Sequence, residues 1–444
     1  MSAMIHDIGV VGAGFSGLAF CTALLARAPA LQVIQFGDAA QFGVGYAYGP
    51  AAGDFLLNSR ADQMGVDAAA DFADWLGLAG EARHGFQPRA VFGRYLRHRH
   101  EDLVQTQRQR LHCQPGLLVR AQRCPDGWQV FDQDGREQAC RRLVLACGAL
   151  PARPLPQLVA AGLHADPRCI AEPLRAGALA DIAPDSRVLI LGSGPTMIDT
   201  ALALLDGGHR GDILALSRHG LIPRPHAPGT PVPAQPPPAF NGISAHAGLA
   251  ALRQRIAESS DWRPHLDGLR AHLPDLWRRA DASERRRFLR HVAPWWSVHR
   301  HRLPPAQWQR LAPAIERGQL RILAGRLLAV GDRSPDLRVI LRTRGGRNEE
   351  IDIAALVQTI GFGQHLGDNP LLASLVDAGH LRADPFALGA DSDADGHALD
   401  RDGRRVDDLF LLGALTRGEG WDITAVPELR QAAIRLAERL AGTA

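Results

Sequence analysis

Lysine is absent, so every one of the 50 basic side chains in the 444 residues is an arginine. Without a lysine amine the chain forms no Schiff base with a carbonyl substrate and builds no P-loop, whose phosphate grip needs a lysine. Cysteine is scarce too. Cys21, Cys113, Cys124, Cys140, Cys147 and Cys169 make no C-x-x-C pair and no zinc-ligand spacing, so no metal site is expected and a reduced, cytoplasmic protein is the natural reading. Excess charge is also missing. A net +3 over this length gives no electrostatic case for nucleic acid or a membrane surface, while small anionic ligands stay open. The apolar stretch from Ile8 to Leu25 lacks a basic flank and is broken by Gly12, Gly14 and Gly17. It reads as strand, turn and helix, not as a signal peptide or membrane span.

The length suffices for two or three domains, and 46% hydrophobic with 22% charged residues is ordinary globular chemistry. A buried strand at Ile5 to Val11, a glycine turn, a helix from about Ser16 to Arg27 and a strand at Leu31 to Phe36 predict a βαβ unit. Helical patterns follow at Asp67 to Leu78 and Phe92 to Arg110. An Asp134-Gly135 turn then predicts a hairpin leading into a strand at Arg142 to Cys147. Pro151 to Pro156 reads as a linker, after which Arg187 to Leu191 repeats the strand-then-glycine pattern. Six prolines between His226 and Ala239 predict a stiff loop into an arginine-rich, tryptophan-bearing helical insertion. Strands are expected again at Leu320 to Val330, Leu337 to Thr343 and Ile351 to Ile360. The fold class is therefore α/β, with two Rossmann-like dinucleotide-binding domains, the second inserted in the first. The expected boundaries are 1–155 for the first part, 156–361 for the inserted unit with a helical insertion at about 241–310, and 362–444 for the C-terminal part.

Gly12-Ala13-Gly14-Phe15-Ser16-Gly17 is a full G-x-G-x-x-G between a strand and a helix, where bare backbone can approach a pyrophosphate at the helix N-terminus. The acid that usually meets the adenosine ribose is displaced by one: the second strand ends at Gly37, followed by Asp38. Either Asp38 bends back to the ribose or another group replaces it. Gly192-Ser193-Gly194-Pro195-Thr196-Met197 is a second, degenerate copy, with Met197 at the third glycine position. Ser217-Arg218 follows the next strand, where an NAD site would carry a carboxylate and an NADP site an arginine, so NADPH is favoured. Val144 to Gly148 and Thr359-Ile360-Gly361 read either as crossovers between two nucleotide units or as ordinary strand ends. Arg285 to Arg302, read here as extended from His299 onward, holds Trp295-Trp296 and His299-Arg300-His301-Arg302. It suggests an anion pocket, nucleic-acid contacts or simple packing, and it lacks the further ligands of a metal site.

These residues resemble the bacterial single-chain FAD/NAD(P)-binding flavoproteins, which are related more distantly to N-hydroxylating flavin monooxygenases. The resemblance runs nearly end to end through Gly43-Val44-Gly45-Tyr46-Ala47-Tyr48, Leu56-Leu57-Asn58, Phe92-Gly93-Arg94-Tyr95-Leu96, Ser217-Arg218, Gly220-Leu221, Phe288-Leu289-Arg290-His291, His299-Arg300-His301-Arg302, Thr416-Arg417-Gly418 and Trp421 to Arg430. It departs from the family pattern at Gly37 and at Cys147. The resemblance implies that Asn58 and the segment from Gly413 to Val426 border a flavin, with Val426 at a helix start facing the ring. On that footing FAD is expected on Gly12, Gly14, Phe15, Ser16, Gly17, Asp38, Gly413 and Val426, and NADPH on Gly192, Gly194, Thr196, Ser217 and Arg218. Asn58, Trp421, Asp422 and Thr424 are the candidate catalytic residues.

The implied activity is monooxygenation: NADPH reduces FAD, the reduced flavin captures molecular oxygen as a C4a-hydroperoxide, and a small substrate is hydroxylated. The family includes an FAD-dependent urate hydroxylase, which makes urate the candidate substrate and Arg300 and Arg302 the candidate ligands of a planar anion. Two other readings are a disulfide reductase, for which Cys21 has no partner at short spacing, and a non-catalytic NAD(P)H sensor.

Overall fold

Strand β1 (Ile5–Val11) is buried on both faces from Ile8 to Val11, as a central parallel strand must be. It lies in an eight-stranded sheet with β2 (Val33–Gly37), β3 (Leu111–Pro115), β4 (Leu118–Cys124), β5 (Gly127–Asp132) and β6 (Glu137–Leu145). The chain then builds a seven-stranded sheet from β7 (Cys169–Ile170), β8 (Val188–Leu191), β9 (Ile213–Ser217), β10 (Leu320–Arg333), β11 (Asp336–Thr343), β12 (Asn348–Ile353) and β13 (Ala355–Gln358). It returns to the first sheet with β14 (His397–Leu399) and β15 (Arg405–Leu411). This is a computed structural model, and it describes residues 5–49, 55–150, 152–227, 229, 232–235 and 245–442.

The first sheet runs β14-β15-β6-β1-β2-β3, with β4 and β5 branching antiparallel from β6. The second runs β12-β11-β10-β9-β8-β13-β7. In each, a strand that ends in a glycine turn lies between parallel neighbours: β1 between β2 and β6, and β8 between β9 and β13. The strand order reverses at both places, and ligands of open α/β sheets bind outside the strand ends there. The fold is thus mixed α/β with two parallel-rich sheets, and the strands of the second fall in sequence inside the first. The chain leaves the first sheet after Leu145 and leaves the second after Gln358, and the two exits pair with each other, the Gly363 amide donating to the Leu150 carbonyl at 2.9 Å.

Helix Phe15–Arg27 packs against the last helix, Val426–Gly442, through one apolar cluster holding Leu18, Leu24, Val426, Ala433 and Leu440. The hairpin expected at Asp134-Gly135 forms between β5 and β6. Other expectations shift. The helical patterns shorten to Asp71–Trp75 and Arg89–Thr106, and the strand expected over 351–360 divides into β12 and β13. A short helix, Pro156–Ala160, takes up the end of the proline-rich linker. Much of the proline-rich loop after His226 lies outside the described residues.

The segment up to Arg302, expected to be extended from His299, is helical to Arg300. Helix Ala282–His291 starts with a capping box between Asp281 and Glu284, and Pro294 sits in the first turn of Ala293–Arg300, where a proline costs no hydrogen bond. The alternate-face argument for Arg300 with Arg302, and for His299 with His301, therefore does not apply.

One glycine sets the spacing of helix Phe15–Arg27 on its strand. A Cβ on Gly17 would collide with the Gly12 carbonyl oxygen, whereas one on Gly194 would meet nothing within 4 Å. Gly17→Ala is expected to cost about 1–3 kcal/mol by overpacking, while Gly194→Ala stays within about 0.5 kcal/mol; chemical denaturation of the two variants checks the contrast.

Candidate dinucleotide and substrate site

The first glycine turn is held by groups that converge on it from three directions. Gly12 has φ 133°, a region L side chains avoid, and a Cβ there would run into the Ala146 carbonyl. The Gly12 amide donates to the Phe36 carbonyl at 2.9 Å. The buried Gln35 side chain donates to the Gly12 carbonyl, also at 2.9 Å; sequence reasoning missed this residue. Gly14 begins helix Phe15–Arg27 with no side-chain cap, which leaves its first amides for a ligand. Phe15 is buried and Ser16 half-buried. Over the turn lies Gly45, where a Cβ would sit 2.8 Å from the Gly14 Cα, which explains the glycine of that motif.

Asp38 does not stand free for a ribose: its carboxylate accepts from the Ala40 amide at 3.0 Å and from Gln41 Nε2 at 3.3 Å. Gly37 cannot carry an acid because its Cβ would strike the Ala13 methyl. Gly413, with φ 78°, faces Ser16 Oγ, which a Cβ there would approach to 2.8 Å. The C-terminal turn is thereby brought to the first glycine turn, and Val426 begins the last helix, buried.

The second turn repeats the device. Gly192 has φ 114° and is confined by the Thr359 carbonyl. Its amide donates to Leu216 at 2.8 Å. Gly194 begins helix Pro195–Asp206, Thr196 follows in its first turn half-buried, and Met197 is fully buried in the core at the third glycine position. Ser193 Oγ, which donates to the Leu221 carbonyl, accepts from Ser217 Oγ at 2.8 Å, and Ser217 Oγ accepts from the Gly220 amide at 3.0 Å. Arg218 is exposed and has no carboxylate partner among the described residues. Around His219, whose pKa is lowered by burial and then by Arg218, Arg344 and Arg326, the structure gathers three guanidinium groups. Two of them, Arg326 and Arg344, come from the β10–β11 hairpin and were not legible beforehand.

The two units are tied together. Arg89 donates to Asp199 of helix Pro195–Asp206 at 2.8 Å, and Gln307 donates to the same carboxylate at 3.0 Å. Burial pushes the Asp199 carboxyl above its ordinary value, against the pull of Arg89 and Gln307. His226 Nε2 donates to the Asn58 carbonyl at 3.0 Å, while the Asn58 side-chain amide takes no hydrogen bond among the described residues. Arg430, in the last helix, donates to the Gly65 carbonyl at 2.9 Å and the Gln63 carbonyl at 3.2 Å, so the loop after Asn58 and the C-terminal segment stand side by side.

That segment is strained and enclosed. Trp421 has φ 52° and ψ −78°, a conformation that costs on the order of 1–3 kcal/mol. Its ring stacks on Trp277, centroids 5.2 Å apart, and meets the Phe288 ring edge-on at 5.2 Å. The Trp421 indole nitrogen and the Arg417 Nε are buried with no hydrogen-bond partner. Asp422 accepts from Arg300 Nε at 2.9 Å and from Trp296 Nε1 at 3.4 Å. Burial alone would raise its pKa, but Arg300 and His301 hold it below the carboxylate range. Thr424 is exposed.

Arg300 also reaches Glu428 at 3.3 Å, and Arg302 makes a two-point ion pair with Asp267 at 2.8 and 3.0 Å. Both candidate anion ligands are thus already matched by carboxylates. Trp296 is buried against Leu252 and Leu269, and Trp295 is exposed, so the pair offers no continuous flat surface. All six cysteines are free, and burial pushes the thiols of Cys113 and Cys147 up to about 11 and about 12. Among the described residues no His, Cys, Asp or Glu group has the makings of a metal site, and no helix is long and apolar enough to cross a membrane.

Residues 9–150 match a family of FAD-NAD(P)-binding proteins. No curated protein matches the chain in sequence. Among solved structures it is similar to the ornithine hydroxylase of Pseudomonas aeruginosa, at 17% identity and TM-score 0.64 over 99% of both chains. It is similar also to the ornithine N-hydroxylase of Kutzneria sp. 744, solved with reduced FAD, NADP+ and L-ornithine, at 16% identity and TM-score 0.63 over 99% of this chain and 100% of that one. The bacillithiol disulfide reductase of Staphylococcus aureus follows at 12% identity and TM-score 0.57 over 99% of both. At such identities the likeness is one of fold.

Two histidines make the site acid-sensitive. Burial lowers His226 and His301 from 6.5 to about 4, so both are neutral in the folded chain. As pH falls below 6.5 the unfolded chain takes up protons that the folded one refuses, and stability declines until pH reaches about 4. Thermal midpoints measured between pH 7 and pH 4.5 should fall, and the fall should be shallower in His301→Gln.

Proposed function

We propose that the chain is an FAD- and NADPH-dependent monooxygenase that hydroxylates a small metabolite. The observation that carries this reading is the presence of two glycine turns at two switch points, in units bridged by Arg89–Asp199 and His226–Asn58. The first turn suits FAD: Gly12, Gly14 and Gly17 leave no side chain between the pyrophosphate and the helix amides, and Phe15, Ser16, Gly413 and Val426 flank it. Bound FAD would supply the oxygen chemistry. The protein's share is orientation and exclusion of water, since an exposed oxidant is lost as hydrogen peroxide. Trp277, Phe288 and Trp421 form an apolar wall for that purpose. Asp422, tied to Arg300 and Trp296, acts as a positioning residue for the Trp421 turn, while the unpartnered amide of Asn58 is available to the flavin or the substrate.

The disulfide-reductase reading shares the fold, but the sequence offers no C-x-x-C dithiol, and burial raises the thiols of Cys21, Cys113, Cys140, Cys147 and Cys169. For the nucleotide, Gly192, Gly194 and Thr196 would receive the pyrophosphate, and Ser217 orders the loop that carries Arg218. With Arg326 and Arg344 beside it, Arg218 supplies unneutralised charge for the 2′-phosphate that distinguishes NADPH from NADH. The Arg344 amide donates to the Ala324 carbonyl at 2.9 Å, and Ala324 pairs with Ser217 across β9 and β10, which keeps the three together.

Arg218→Ala is expected to lower kcat/KM for NADPH by about 10- to 100-fold, the range for a charge-assisted hydrogen bond, and to leave NADH oxidation nearly unchanged. Equal use of the two nucleotides by the unaltered enzyme would contradict the assignment. Urate is the substrate proposed first. With the flavin-loaded protein it should draw NADPH and oxygen in equal amounts with little free peroxide, measured by absorbance, an oxygen electrode and a peroxide assay; peroxide equal to the NADPH consumed would rule urate out.

A further inference from the structure

Beyond the two turns, the loop after Arg218 folds back against the helical insertion and borders a cleft of about 390 Å³. Its lining includes Ile222, Arg224, Trp262, Arg263, His299 and Trp308. Its edges lead to both units: Pro225 precedes His226, whose ring meets the Asn58 carbonyl, and Ile222 follows Leu221, whose carbonyl accepts from Ser193 of the second glycine turn.

The charges around the cleft do not cancel. Arg263 is spent on Asp261 at 2.9 Å and on the Pro225 carbonyl at 2.9 Å, and Arg302 behind it is spent on Asp267. Arg224 is different. Its backbone is clamped on both sides, the amide donating to Val298 at 2.8 Å and the carbonyl accepting from Leu303 at 2.9 Å, yet its exposed guanidinium has no partner among the described residues. No carboxylate lines the cleft.

The walls are flat and fixed. Trp262 meets His299 edge-on at 4.7 Å, with the guanidinium carbons of Arg263 and Arg302 lying 4.7 and 5.0 Å from its centroid. Trp308 comes from the separate helix Pro305–Glu316. His299 donates from Nδ1 to the Trp295 carbonyl at 2.7 Å, and burial, followed by Arg224, Arg302 and Arg263, lowers its pKa against the pull of that bond. Its Nε2 lone pair is therefore left to accept a hydrogen bond.

We infer that this cleft is the substrate site, and that the substrate is a planar anion that also carries an N–H or O–H donor. The Trp308 indole suits a flat ring, Arg224 suits its charge and His299 suits its donor. An aliphatic amine would meet a like charge and no carboxylate. The inference rests on the monooxygenase reading for the fate of the ligand, but binding is measured without turnover.

The test is calorimetry on the FAD-loaded protein saturated with NADP+, titrated with urate, 4-hydroxybenzoate and L-ornithine. At least one planar anion should bind at one site per chain and L-ornithine should not. Arg224→Gln should weaken the bound anion by about 10-fold or more, and Trp308→Leu should weaken it too, with flavin content and thermal midpoint reporting that both variants fold. Binding of L-ornithine alone, binding of none of the three, displacement of NADP+ by the anion, or an Arg224→Gln protein with unaltered affinity would each overturn the assignment. Failure of the monooxygenase reading shows separately, as absent NADPH oxidation.

Discussion

At two strand ends a backbone carbonyl occupies the space that a Cβ would need, the Ala146 oxygen against Gly12 and the Thr359 oxygen against Gly192. Much else depends on that exclusion. Because only glycine fits, the chain turns sharply out of β1 and out of β8, and the following helix starts over the strand ends with free amides. The same contact holds the neighbouring strand close, so each switch point is both the place where the chain changes sheets and the place where a pyrophosphate can be received. The third glycine is needed only where helix and turn must touch. Gly17 meets the Gly12 carbonyl, whereas Met197 fills the corresponding position in the second unit and contributes to its core.

A second layer of organisation is electrostatic. Arg270 and Arg300 from the insertion close on Glu428 and Asp422 in the C-terminal segment. Trp277 donates to the Gly418 carbonyl at 2.7 Å. Buried ion pairs add little net stability over apolar packing, because desolvation offsets attraction. Their effect here is geometric: they hold the short turn around Trp421 in a backbone conformation it would not otherwise keep. Arg300 and Arg302, which in the primary structure look like ligands of an anion, are consumed in ion pairs. Arg218, Arg224, Arg326 and Arg344, which have no carboxylate partner among the described residues, lie on strands and loops of the second sheet.

The cleft borders the loop from Ser217 to His226, which passes from the second glycine turn to the neighbourhood of Asn58. This loop is pinned at Ser193, Val298, Leu303 and Asn58. Such a path lets a nucleotide, a flavin and a small ligand be held by one connected set of residues.

Sequence alone determined what depends on neighbours a few residues apart. The G-x-G-x-x-G turns, the alternation of strand and helix, the hairpin at Asp134-Gly135 and the nested order of the two units are all written in local spacing, because backbone sterics and side-chain periodicity act over that range. Tertiary structure alone decided which charges are free. Arg300 and Arg302 find carboxylates 122 and 35 residues away, and Gln35 proves to be a turn-holding group. No window of sequence carries that information, since ion pairing depends on which distant elements pack together. Only the last helical residues, His299 and Arg300, were read as extended, because contacts with the rest of the insertion, more than intrinsic preference, decide where that helix ends.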